Sequence, residues 1–317
     1  MRRQRGDAPG PMRPLTGILL KLCSVMLFIT MASLIKATSG HVSPGEAVFF
    51  RSFFAIPVIL VWLMLRGDLR TGLSVRAPMG HVWRGVVGTA AMGLGFAALG
   101  LLPLPEVTAL TYAAPLLVVI FAAMFLDEEV GAFRISAVGL GLVGVLIVLA
   151  PRLTALSDPT VETMQAVGAI LALTGAICAA LAQIYVRKLV QTEETSAIVF
   201  YFSITSTGLS LLTIPFGWVL PSGPEFGLLV LAGLLGGLGQ IFLTSSYRFA
   251  DASVVAPFDY ASILLALGIG YFIFDEVPTR AMLTGASLVI LAGIIIIWRE
   301  HQLGIRRNRA RSARTPE

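Results

Sequence analysis

The 317-residue sequence predicts an all-α integral membrane protein of ten transmembrane helices, built as two inverted five-helix repeats. Three observations lead there. Apolar residues make up 56% of the chain and charged residues only 13%. A soluble domain carries about 25% charged residues, so lipid rather than water is the expected solvent. Mean hydropathy is +0.86, and apolar runs recur along the whole chain. Each is close to the ~20 residues that cross a bilayer core. The second half also repeats landmarks of the first, in order.

Taken in order, the apolar runs predict spans at 15–36, 44–65, 82–101, 106–125, 133–150, 166–186, 195–217, 225–247, 252–273 and 280–298. Ser43-Pro44-Gly45 precedes the second span and Arg66-Gly67-Asp68 follows it. Pro103 to Pro105 divide the third from the fourth, and Asp127-Glu128-Glu129 the fourth from the fifth. Ser157-Asp158-Pro159 separates the halves, and Pro221-Ser222-Gly223-Pro224 introduces the eighth span. Each run is read as a helix, because a helix satisfies its own backbone polar groups in lipid. A barrel would show short alternating strands instead. The arginines ahead of the first run mimic a signal peptide. More spans follow without a cleavage site, so that run is read as a retained helix. The resulting plan is a basic cytoplasmic tail (1–14), a first repeat (15–151), an external linker (152–165), a second repeat (166–299) and a basic cytoplasmic tail (300–317).

Charge orients this plan. With both termini on one side, nineteen Lys and Arg residues fall on that side, among them Lys21, Arg84 and the arginines of both tails. Two, Arg152 and Arg280, fall on the other; Lys36 and Arg51 lie at or within spans. The positive-inside rule then places both termini in the cytoplasm and the chain in the inner (plasma) membrane. The basic tails are read as topology signals or contacts with anionic lipid, not as a nucleic-acid surface. Lipid and a small-molecule substrate are the expected partners, for a monomer or a homodimer.

The repeat is carried by specific residues. Glu106-Val-Thr-Ala-Leu-Thr-Tyr112-Ala-Ala-Pro115-Leu returns as Val254-Val-Ala-Pro-Phe-Asp259-Tyr260-Ala-Ser-Ile-Leu264. Fifteen residues after each tyrosine comes an acidic pair, Asp127-Glu128 and Asp275-Glu276, and a glycine recurs further on, Gly144 and Gly293. Five helices per half, an odd number, insert the second half upside down. That is the logic of many secondary transporters, with a substrate site between the halves near the midplane.

Charged and polar groups inside spans are the candidates for that site, because each is costly in lipid. Arg51 lies about two turns into the second helix, with Lys36 and Glu46 near its outer end as an ion pair or gate; a structural lock is the alternative. Asp259, next to Tyr260 and after the helix-breaking Pro257, is a candidate for a proton or a polar substrate edge. Tyr112 and Tyr260 offer flat rings with polar tips, or simply pack between helices. Gln183, Tyr185, Gln240 and Tyr247 add hydrogen-bonding groups. Glu106 and the acidic pairs read as helix caps. Cys23 and Cys178 read as packing residues, and His41, His81 and His301 lie too far apart for a metal site. No catalytic residue, metal or cofactor is expected.

Phe49-Phe50-Arg51, Ala98-Leu-Gly-Leu-Leu-Pro-Leu-Pro-Glu106, Tyr112-Ala-Ala-Pro115 and the acidic pair resemble the drug/metabolite transporter superfamily, and within it the ten-helix EamA-type permeases. The likeness covers about residues 15–300. It implies two EamA units around a central cavity that carries small metabolites by import or export. The second half departs in having Tyr201 for Arg51 and Ile263 for Pro115. Met12-Arg-Pro-Leu-Thr-Gly-Ile-Leu-Leu-Lys21 and Glu46-Ala-Val-Phe-Phe-Arg-Ser-Phe-Phe-Ala-Ile-Pro57 resemble the riboflavin-uptake branch, which implies riboflavin import. The other readings are an exporter of amino acids or other metabolites, an intramembrane lipid-group transferase, and a channel.

Overall fold

Proline decides where the helices of this chain begin and break. In the computed structural model, which describes residues 14–69, 72–125, 132–154, 163–189, 192–249 and 256–312, α1 is Pro14–Thr38 and α2 is Pro44–Phe53. Pro57 has no N–H for the Phe53 carbonyl, and there the second span breaks into α2 and α3 (Ala55–Arg66). Helix α4 is Pro78–Leu101, and the next span breaks likewise into α5 (Leu104–Thr111) and α6 (Ala113–Phe125), four residues ahead of Pro115. Then come α7 (Ala132–Thr154), α8 (Thr163–Leu189), α9 (Thr195–Leu211) and α10 (Gly223–Phe249). The ninth predicted span opens as a 3-10 turn, Ala256–Tyr260, and continues as α11 (Ala261–Phe274). The last helix, α12, is Arg280–Ser312.

Seven helical stretches among the described residues are long and apolar enough to cross a membrane. Shorter apolar helices, Thr195–Leu211, Phe258–Phe274 and Arg280–Ile296, take the places of the seventh, ninth and tenth predicted spans. Several boundaries move, three of them at places that matter for packing or topology. The third span starts at Pro78 rather than 82, the seventh stops at Leu211 ahead of a short 3-10 turn, and α12 runs on into the basic tail. Asp127, Glu128 and Glu129 lie outside the described residues.

The helices pair across the halves. Helix α1 packs on α10, α4 on α8, α7 on α12, α2 on α9 and α5 on α11. Exchanging first with second half maps this set of pairs onto itself. Small residues make the closest approaches: Gly144 of α7 faces Gly285 of α12, each lying against the other's carbonyl. Gly144 and Gly293 match in the repeat but not in packing, since Gly293 receives the Tyr260 hydroxyl. Gly285→Ala would drive a methyl into the Gly144 carbonyl, which is backbone and cannot swing aside. It is expected to cost about 1–3 kcal/mol, read as a lower unfolding temperature in detergent.

Candidate substrate cavity

Between the halves lies a cavity of about 490 Å³. Its wall is mostly apolar, with Phe28, Ile29, Phe96 and Leu99 prominent, and its polar groups are few: Lys21, Thr108, Thr111, Tyr112, Gln183, Asp259 and Ser262 among them. An apolar chamber with a small set of placed polar groups is the usual form of a small-molecule site.

Lys21 and Asp259 form its charged corner. Lys21 is 2% exposed, and its Nζ lies 2.8 Å from Asp259 Oδ1, whose side chain is 40% exposed. The lysine sits seven residues into α1, about 10 Å along it. The carboxylate comes from the 3-10 turn, where the backbone is not yet α-helical. Tyr112 fixes that turn. Its hydroxyl donates to the Asp259 carbonyl, pairs with Ser262 Oγ at 2.6 Å, and its ring stacks on Tyr260 with centroids 4.9 Å apart. The two tyrosines matched by the repeat therefore meet each other. Tyr260 is buried against Gly293 and is not among the cavity-lining residues.

At the end of the bundle away from the N-terminus, a second cluster closes over the cavity. Lys36 Nζ lies 2.9 Å from Glu276 Oε1 and donates to the carbonyls of Leu99 (3.1 Å) and Leu102 (2.7 Å). Glu276 Oε2 accepts from the Leu104 N–H at 2.9 Å. The chemistry is that of helix ends: a cation on the last carbonyls of α4 and an anion on the first amide of α5. Asp275, left-handed at φ 53°, turns the chain so that the Glu276 N–H bonds the Gly270 carbonyl and its carboxylate reaches back to α5.

Several sequence expectations change here. Lys36 pairs with Glu276 and not with the Arg51 and Glu46 group; Glu46 instead accepts from the Val219 N–H. Glu276 does not cap the helix after it, a task Thr279 performs through the Met282 N–H. Glu106 is buried in an ion pair with Arg152, at 2.7 and 3.1 Å, instead of serving only as a cap. Of the proposed contacts, Tyr112, Gln183 and Asp259 line the cavity. Arg51 and Gln240 do not, and Gln240 borders a small gap with Ile59, Trp62 and Val199. Tyr185 is half-buried on α8, and the side chain of Tyr247 lies outside the described residues. Lys21 and Arg84, counted as flanking charges, are inside α1 and α4. Span arithmetic held the signal for Lys21, since a run starting at 15 already contains it.

Away from the cavity, Glu193 ties the loop after α8 to the start of α4. Burial pushes its carboxyl pKa up, but the amides of Ala77 and Arg76, with His81 beside them, bring it below the ordinary 4.5. Both amides donate to Oε1, at 2.6 and 2.7 Å. A lowered folded pKa means stability that is fully present above pH 4.5 and lost as pH falls through the folded value. Acid titration of the unfolding temperature is expected to show this loss in the parent protein and a smaller one in Glu193→Gln.

Comparison with known proteins fits this architecture. The EamA-like transporter family matches twice, at residues 15–150 and 166–299. A pseudopaline exporter of Pseudomonas aeruginosa is 30% identical over 285 residues, covering 89% of this chain and 95% of that one. An S-adenosylmethionine uptake transporter of Rickettsia felis is 29% identical over 286 residues, covering 90% and 94%. A solved crystal structure superposes with a TM-score of 0.64 at 20% identity, covering 91% of this chain and 99% of that chain, and so shares the fold.

Proposed function

Because this chain belongs to the EamA-like transporter family, we propose that it is a secondary carrier that moves a small zwitterionic metabolite by alternating access. Members of the family are transporters, so the lipid-group transferase reading falls away. The observation that carries the cargo class is the Lys21–Asp259 pair in the cavity wall. An ammonium and a carboxylate side by side in an apolar chamber match a ligand bearing both charges. The ligand's carboxylate would take Lys21 and its amino group Asp259, exchanging one ion pair for two without leaving a buried charge bare. Phe28, Phe96 and the Tyr112 ring would face its apolar body. This favours amino acids and their derivatives over riboflavin, whose uncharged ring and ribityl chain offer neither group a counterion. One relative is named for export and the other for uptake, as befits a carrier whose direction follows the gradient.

In this reading the termini are cytoplasmic, the membrane is the inner one, and the Lys36–Glu276 cluster is the outer seal of an inward-facing state. Rocking one bundle on the other would break that seal and close the Lys21 end. Counterflow in proteoliposomes tests the cargo, with labelled S-adenosylmethionine, a panel of amino acids and riboflavin as separate arms. Saturable exchange of a zwitterion is expected. Exchange of riboflavin with every zwitterion inert would refute the assignment and leave the carrier itself intact.

A further inference from the structure

Outside the cavity lining, two guanidinium groups share one aromatic ring. Arg51 of α2 lies over Phe202 of α9 at 5.6 Å, and Arg84 of α4 lies over the same ring at 3.7 Å. Arg51 is 6% exposed. Its Nε, and both Nε and Nη1 of Arg84, are buried without a hydrogen-bond partner, and neither side chain forms an ion pair among the described residues. Arg51 enters from one end of the bundle and Arg84 from the other, each about 10 Å along its helix. They therefore meet well inside the apolar layer. The seats are cut by glycines: a Cβ at Gly88 would collide with the Arg84 guanidinium, and one at Gly236 would press on Arg51 Nε at 3.2 Å.

A ring face attracts cations but accepts no conventional hydrogen bond, and one ring does not neutralise two like charges in a low dielectric. The unmet groups are all donors, so the missing partner must be an acceptor with negative charge. We propose that Arg51 and Arg84 bind a small inorganic anion of halide size, held between α2, α4 and α9. Tight packing favours a compact monoanion over a carboxylate-bearing metabolite, because the glycine seats leave the guanidiniums little slack. The site is displaced along α4 from the cavity. Ala91, Met92 and Gly95 line the cavity, while Arg84 and Gly88, on the same face but nearer the start of the helix, lie against Phe202. Neither arginine is among the cavity-lining residues. The neighbouring hydroxyl pair, Thr89 Oγ1 and Ser206 Oγ at 2.7 Å, continues this polar seam between α4 and α9.

The experiment is equilibrium binding of radiolabelled chloride to the purified full chain, exchanged into gluconate. A single saturable class of sites is expected, displaced by bromide and unaffected by added amino acids. Arg51→Met/Arg84→Met removes both charges together and is expected to abolish that binding. Saturable binding that survives in the double variant overturns the proposal. Should the variant fail to express, the parent protein alone decides: no saturable chloride binding, or displacement by phosphate but not by bromide, overturns it equally.

Discussion

Asp259→Asn is expected to cut transport about 100-fold while the protein still inserts and folds. The carboxylate is 40% exposed toward the cavity, whereas its partner Lys21 is 2% exposed, so the penalty falls on the lysine left without its carboxylate. Removing one member of a buried, hydrogen-bonded charge pair costs about 2–5 kcal/mol, and ~2.7 kcal/mol is ~100-fold in a rate ratio. Lys21→Met should also impair transport, because the ammonium for the substrate's carboxylate is gone, but at a smaller cost in stability, since the Asp259 carboxylate it leaves is 40% exposed. The informative variant carries both changes. With neither charge present, no ion is buried bare, and thermal stability should return to near the parent value. Transport should not return, because the groups that hold a zwitterion are gone. Initial rates of substrate exchange and unfolding temperatures, measured on the same four proteins, separate the two roles. A double variant that transports at the parent rate would show the pair to be a structural clasp only.

How much of this was legible in the sequence follows from what hydropathy measures. It finds apolar length, and the prolines fix the breaks: Pro57 and Pro115 each end a helix four residues upstream, and Pro257 lies in the 3-10 turn that carries Asp259. The Tyr112 and Tyr260 repeat was legible too, and the structure adds that the two rings stack. Azimuth was not. In a helix that is apolar nearly all round, no amphipathic stripe says which face looks inward. Arg51 and Asp259 therefore read as members of one polar site, yet Asp259 lines the cavity while Arg51 lies outside that lining, over Phe202. A count of Lys and Arg by side ignores depth, so Lys21 reads from sequence as a flanking charge. Glu276 reads from sequence as a local cap, because sequence distance hides its reach to Lys36 and Leu104.

Loss of the Lys36–Glu276 contact is expected to shift the carrier toward an outward-open state, and charge reversal should not repair it. Glu276→Gln keeps a carbonyl for the Leu104 N–H but removes the charge; Lys36→Met frees the Leu99 and Leu102 carbonyls. Each should lower transport about tenfold, a shift of ~1.4 kcal/mol between states. The reading is labelling of a cysteine placed at Thr108, in the cavity wall, by a membrane-impermeant maleimide applied outside. Cys23 and Cys178 are first replaced by serine. Labelling should rise in both single variants. An isolated surface ion pair would be restored by the exchange Lys36→Glu/Glu276→Lys. Here the exchange puts an anion against the terminal carbonyls of α4 and a cation against the first amide of α5, both disfavoured by the helix ends. The exchanged protein should thus label as strongly as the single variants. Labelling and transport restored to parent levels would reduce the cluster to a simple ion pair, indifferent to the helix termini beneath it.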